Sequence, residues 1–184
     1  MAVTRGDVAL LGALLTPIVP QVARDPWALD PGPRPFGHRI QISPAVGELG
    51  SKRLFTLRAA YQPSRWFAYE AELGHTPGST AHALLHSLNL ALRYPLPGRV
   101  QPYATCGYGM AVVKPGRSDN ATDVTANLVA AGGGVEFYLR EDLAVRVEAR
   151  NVTFLGGERD RAGTVAYDYA AWTAGLSFSR RMGE

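Results

Sequence analysis

Residues 143–150 read Leu-Ala-Val-Arg-Val-Glu-Ala-Arg, and residues 67–73 read Phe-Ala-Tyr-Glu-Ala-Glu-Leu. In both stretches a charge returns at every second position while the residues between are apolar. That period of two belongs to a strand, whose successive side chains point to opposite faces; an amphipathic helix would repeat at three and four. Outward from these stretches the pattern recurs. Phe55, Leu57, Ala59 and Tyr61 alternate with Thr56 and Arg58. Leu84, His86, Leu88, Leu90, Leu92 and Tyr94 oppose Ser87, Asn89 and Arg93, and Trp172, Ala174, Leu176 and Phe178 oppose Thr173, Gly175, Ser177 and Ser179. The segments 38–47, 100–113 and 124–138 carry the alternation less cleanly, and with them the chain reads as eight strands.

A greasy face and a charged face fit two architectures. In a soluble sandwich or lipocalin-like barrel the greasy face is the core; in a membrane barrel it meets lipid and the charged face fills the lumen. Connections and aromatics choose between them. Short connections are expected at Gln62–Arg65, Pro95–Arg99 and Arg140–Asp142, and mostly longer ones around Leu49 and at His75–Ala81, Lys114–Asp123 and Gly156–Ala166. Such alternation is that of an outer-membrane barrel with both termini in the periplasm. Phe36, Tyr61, Trp66, Phe67, Tyr94, Tyr103, Phe137, Tyr138 and Phe178 gather toward the short-turn rim, and Tyr108, Phe154, Tyr167, Tyr169 and Trp172 toward the other. Two belts of rings at the headgroup levels follow from a spanning barrel. The expected fold is therefore all-β: a closed, antiparallel, eight-stranded up-and-down transmembrane barrel. Arg39, Arg58, Arg93, Arg146 and Arg150 would meet Glu70, Glu72, Glu136 and Glu148 in its lumen, leaving no wide pore. Closure is required, because an open edge in hydrocarbon would leave backbone N–H and C=O groups without partners.

Composition agrees. The 184 residues fit one domain; charged residues are 19% of the chain, and Gly (20) and Tyr (8) are plentiful. The net charge of +3 is carried by arginines placed singly along strands, not in a basic stripe of the kind nucleic acid requires. Cys106 is the single cysteine, so neither an internal disulfide nor a cysteine metal cluster forms.

Val8–Ala23 is an apolar run behind Arg5, too short to span a bilayer as a helix and matched to the apolar stretch of an export signal. The expected organisation is a signal peptide over 1–23, a Pro- and Gly-rich linker over 24–36, the barrel over 37–180 and a short tail over 181–184.

The stretches Pro63–Gly74, Gln101–Gly107 (Gln-Pro-Tyr-Ala-Thr-Cys-Gly), Gly132–Tyr138 and Leu143–Arg150 resemble the outer-membrane β-barrel domain family, the small eight-stranded type related to the outer membrane protein A barrel. The likeness covers about residues 37–180. It implies a Gram-negative outer-membrane location, with membrane lipid, lipopolysaccharide and the barrel-assembly machinery as partners, a monomer, and a structural or surface-interaction role. The chain departs from the family after Phe178, where Ser179–Glu184 replaces a terminal aromatic.

Some barrels of this size modify lipid A as acyl hydrolases or acyltransferases, which requires a base beside a hydroxyl nucleophile. His86-Ser87 is the nearest candidate, but neighbouring strand residues face opposite ways. The His-x-Ser-Asn signature of the deacylases is also missing where Arg150-Asn151-Val152-Thr153 stands. His38, His75, His82 and His86 lack metal-ligand spacing. Gly132-Gly133-Gly134 has no Lys-Ser/Thr after it and reads as room for strand curvature or for a neighbour's ring, not as a phosphate cradle. No catalytic, cofactor or metal residue is assigned, and the protein is expected not to be an enzyme.

Overall fold

The computed structural model describes residues 37–78, 81–115, 124–157 and 164–182. The expected signal peptide and the whole of the expected linker, Phe36 included, lie outside them, as do 79–80, 116–123, 158–163 and the last two residues. Eight antiparallel strands, each paired with its sequence neighbours, form one closed barrel. They are β1 (Arg39–Leu49), β2 (Lys52–Gln62), β3 (Phe67–Thr76), β4 (Ala81–Arg93), β5 (Val100–Pro115), β6 (Val124–Tyr138), β7 (Leu143–Gly157) and β8 (Thr164–Arg181). Following cross-strand partners from Ile40 through Tyr61, Tyr69, Leu90, Cys106, Ala131 and Asn151 reaches Ala170, whereas Ile40 itself pairs Arg180, ten residues further on. That stagger tilts the strands to the barrel axis by about 35–45° and closes a cylinder only wide enough for side chains.

The closing seam between β1 and β8 skips Ser43 and Pro44, the latter lacking an N–H to donate. Side chains bridge the gap: the Ser43 and Ser177 hydroxyls are 2.9 Å apart, and Gln41 bonds Ser177.

Along most of each strand the apolar face is outside. Leu57, Leu73, Leu88, Leu92 and Val147 are all at least half exposed, while Arg58, Glu70, Glu72, Arg146 and Glu148 are buried inside. A soluble barrel would reverse this, so the exposed face is the lipid face. Cys106 points outward with Ala104 and Met110.

Two sequence expectations need correction. The connections do not divide into short and long sets. β1 and β2 are joined by Gly50-Ser51 alone, with Gly50 in the left-handed region at φ 60°, and β3 and β4 by residues 77–80. The asymmetry lies instead in the strands, 10–13 residues for β1–β4 and 15–18 for β5–β8, so one side of the wall rises higher at the rim opposite the termini.

The aromatic belts are also smaller than expected. Tyr61, Trp66, Tyr94, Phe137 and Phe178 are exposed at the termini rim, but Tyr103 and Tyr138 are 6% and 1% exposed and turn into the lumen. At the other rim Tyr108 and Trp172 face out with polar tips engaged. The Tyr108 hydroxyl donates to Asn127 Oδ1 at 3.0 Å and the Trp172 indole N–H to Glu48 Oε2 at 3.3 Å. Phe154, Tyr167 and Tyr169 point inward instead.

The inward turn of those three rings reflects an exchange of faces. On β7 the outward residues run Val145, Val147, Ala149 and then Asn151 and Thr153, while the inward ones run Arg146, Glu148, Arg150 and then Val152 and Phe154. On β6 the last outward residues are Asn127 and Thr125, with Leu128 and Ala126 inside; on β8 Asp168 is outward, with Ala171, Tyr169 and Tyr167 inside. On the β6–β8 side, above the level of Tyr108 and Trp172, the outer wall is therefore polar and the inner wall apolar, as water outside requires. The wall changes solvent partway up.

Candidate functional site in the lumen

Inside, the barrel has two storeys. The one nearer the termini holds four arginines and four glutamates, contributed by β2, β3, β4, β6 and β7. Arg58 from β2 donates to Glu72 at 2.6 Å and to both Glu148 oxygens at 2.9 and 3.0 Å. Arg146 from β7 grips Glu70 with two bonds of 2.9 and 3.1 Å, reaches Glu148 at 2.8 Å and donates through Nε to the Tyr103 hydroxyl at 2.7 Å. That hydroxyl in turn donates to Glu148 at 2.6 Å. Arg150 closes on Glu72 at 2.6 Å and Glu148 at 2.8 Å. Nearer the termini rim, Arg93 pairs with Glu136, which also accepts from Gln41 and from the Tyr138 hydroxyl at 2.9 and 3.0 Å.

The formal charges of these eight residues cancel, and nearly every carboxylate oxygen has a donor. Such satisfaction is required, since an unpaired buried charge is penalised by several kcal/mol. Arg39, counted in sequence with the luminal set, is buried as expected but finds its acid in the β6–β7 turn, at 3.5 Å from Glu141.

The aromatic members were misplaced by their nearness to a rim. The signal that places them was local: Tyr103 shares its side of β5 with Gln101 and Thr105, and Tyr138 shares its side of β6 with Glu136. Gly134 makes the room that Tyr103 requires. A Cβ there would lie 2.6 Å from the phenol oxygen and 2.2 Å from the Val147 carbonyl oxygen, so the glycine triplet does admit a neighbour's ring. The Tyr103 ring also lies beneath the Arg146 guanidinium at 4.3 Å, stacking the pair at the centre of the lumen.

The upper storey is apolar. Leu49, Leu54, Ala111, Leu128, Ala130, Val152 and Ala171 form a buried cluster, with Leu85 and Phe154 against it. Between this plug and the charged layer remains about 20 Å³. Beyond the plug the barrel opens into a cavity of about 540 Å³ at its mouth.

The candidates singled out in sequence are kept apart. His86 is exposed on the lipid face while Ser87 is buried inside, where its hydroxyl accepts from Asn89 Nδ2 at 3.1 Å. His75 and His82 are likewise exposed, and His38 sits before β1 in the left-handed region with φ 57°. Among the described residues no group of three or more His, Cys, Asp or Glu is placed to hold a metal ion. Asn151 and Thr153 face outward above the lipid band, where the Thr153 hydroxyl donates to Asp168 at 2.5 Å.

A family model described as the outer membrane protein beta-barrel domain matches residues 42–179. No curated protein matches the sequence significantly. Among solved structures, the N-terminal β-barrel domain of Pseudomonas aeruginosa OprF is similar with a TM-score of 0.63 at 16% identity, covering 78% of this chain and 98% of that one. Neisserial surface protein A (NspA) gives 0.55 at 8% identity, covering 76% and 94%. A de novo designed transmembrane β-barrel gives 0.56 at 14%, covering 78% and 97%. At these identities the likeness is one of fold.

Proposed function

This chain belongs to the outer membrane protein β-barrel family and is an integral protein of the outer membrane; on that premise we propose that it is a closed barrel with a structural or surface-presenting role and neither a pore nor an enzyme. The observation that carries the reading is the luminal plug. Four arginines and four glutamates, neutral in sum and bonded at 2.6–3.1 Å in the contacts given above, fill the lower interior, and an aliphatic cluster seals the upper. An ion would have to break several desolvated pairs to pass, which disfavours conduction. The non-catalytic part is supported by the separation of His86 from Ser87 on opposite faces of β4, since a base must lie within hydrogen-bond reach of its nucleophile.

The same proposal includes the partners. Outer-leaflet lipopolysaccharide and membrane lipid surround the wall, the assembly machinery inserts it after export by the N-terminal signal, and the closed ladder leaves no strand edge to recruit a second copy.

The test combines cell fractionation with a denaturing gel of heated and unheated samples, followed by planar-bilayer recording. Recovery with the membrane, a heat-dependent mobility shift and the absence of stable single-channel steps are expected. Release into the soluble periplasm without detergent, or large and stable currents, overturns the reading.

A further inference from the structure

The cavity at the outer mouth is walled unlike a water-filled vestibule. Ala126, Val113, Phe154, Val165, Tyr167 and Tyr169, on β5–β8, turn apolar surface into it, with Phe154 and Tyr169 in edge-to-face contact at 5.6 Å between ring centres. The facing wall, at the β1–β2 turn and the end of β3, supplies Ser51, Lys52 and Thr76. None of these three side chains has a hydrogen-bond or ion-pair partner among the described residues, and no described acidic side chain lines the cavity. Thr76, 8% exposed, adds a hydroxyl to this polar side of the cavity. The floor is the aliphatic plug, so whatever enters is held and not passed on.

We propose that this cup binds a small amphipathic anion from the external medium, with the acid group against Lys52 and Thr76 and an aromatic or short aliphatic body against the β5–β8 wall. Its volume of about 540 Å³ lies within the roughly 300–1,000 Å³ of small-molecule sites, and a mostly apolar lining with a few convergent polar groups is their usual make-up. Charge selects the head: the ammonium has no ion-pair partner among the described residues, and its neighbours are hydroxyls that donate to an oxyanion.

The test uses the full chain refolded in lipid nanodiscs, with 4-phenylbutyrate as the probe and 4-phenyl-1-butanol as its uncharged counterpart. Saturation-transfer NMR is read against empty nanodiscs. Saturable binding of the carboxylate is expected, about tenfold weaker in Lys52→Gln, with the alcohol changed less than about twofold. Ala126→Trp fills the cup and removes both signals while the barrel keeps its heat-dependent gel shift. Thr76→Val keeps the shape and weakens the carboxylate more than the alcohol. The proposal is overturned if neither probe saturates above the empty discs, if binding survives in folded Ala126→Trp, or if Lys52→Gln fails to separate the two probes.

Discussion

Replacing Glu148 by Ala tests the luminal network at its busiest acid. The side chain is 2% exposed and receives Arg58 at 2.9 and 3.0 Å, Arg146 and Arg150 at 2.8 Å each, and the Tyr103 hydroxyl at 2.6 Å. Its loss leaves four arginines facing three glutamates in a sealed interior. Breaking a buried pair from one side is worth about 3–5 kcal/mol. Here each stripped arginine keeps another acid, Arg58 and Arg150 keeping Glu72 and Arg146 keeping Glu70, which places the expected loss at the lower end, about 3 kcal/mol. Removing Arg150 as well restores neutrality, with three charges of each sign. Glu148→Ala with Arg150→Met should then be less damaging than the sum of the single changes by roughly 1–2 kcal/mol. Reversible urea unfolding in phospholipid vesicles, followed by tryptophan fluorescence, measures all four corners of the cycle. A loss below about 1 kcal/mol for Glu148→Ala, the range of a solvent-exposed pair, or strict additivity of the two changes would refute the description of a dry, mutually dependent network.

Three further outcomes follow from the same geometry. Arg at Leu90 or Val147, which are exposed on the lipid face of β4 and β7, should destabilise the barrel by about 2–4 kcal/mol and block assembly, read as loss of the heat-shifted band; a normal yield of folded protein would place these residues outside the hydrocarbon. Cys106 should resist a water-soluble maleimide in intact outer membranes and react after denaturation, because its side chain points into lipid. Rapid labelling of the folded protein contradicts the assignment of faces on β5. Gly134→Ala should destabilise by about 1–3 kcal/mol, because its Cβ would meet the Val147 carbonyl oxygen and the Tyr103 ring, and Tyr103→Phe should not restore the loss, since the backbone clash remains and the hydroxyl's bonds to Arg146 and Glu148 are gone; wild-type stability in the same unfolding assay would contradict the close approach.

Sequence alone settled the fold because the governing physics is local. A strand presents alternate residues to opposite sides, and 143–150 or 67–73 sort charge from grease at that period whatever the rest of the chain does. The number of strands, the gathering of Arg and Glu on one face and the place of Cys106 on the other with Ala104 and Met110 follow from counting by twos; which of the two faces is the lumen does not. Which arginine meets which glutamate does not: Arg146 and Glu70 are 76 residues apart and meet across the lumen only because the ten-residue stagger sets their heights. Nor does counting by twos tell where a strand leaves the bilayer. Along β7 the alternation of sides never breaks, yet Val147 faces lipid outside while Val152 and Phe154 face the interior, because on the β6–β8 side the solvent outside changes from hydrocarbon to water above the level of Tyr108 and Trp172. The sequence carries the period, but the bilayer and the closed ring decide which face is dry, and so Phe154, Tyr167 and Tyr169 line a mouth and not a belt.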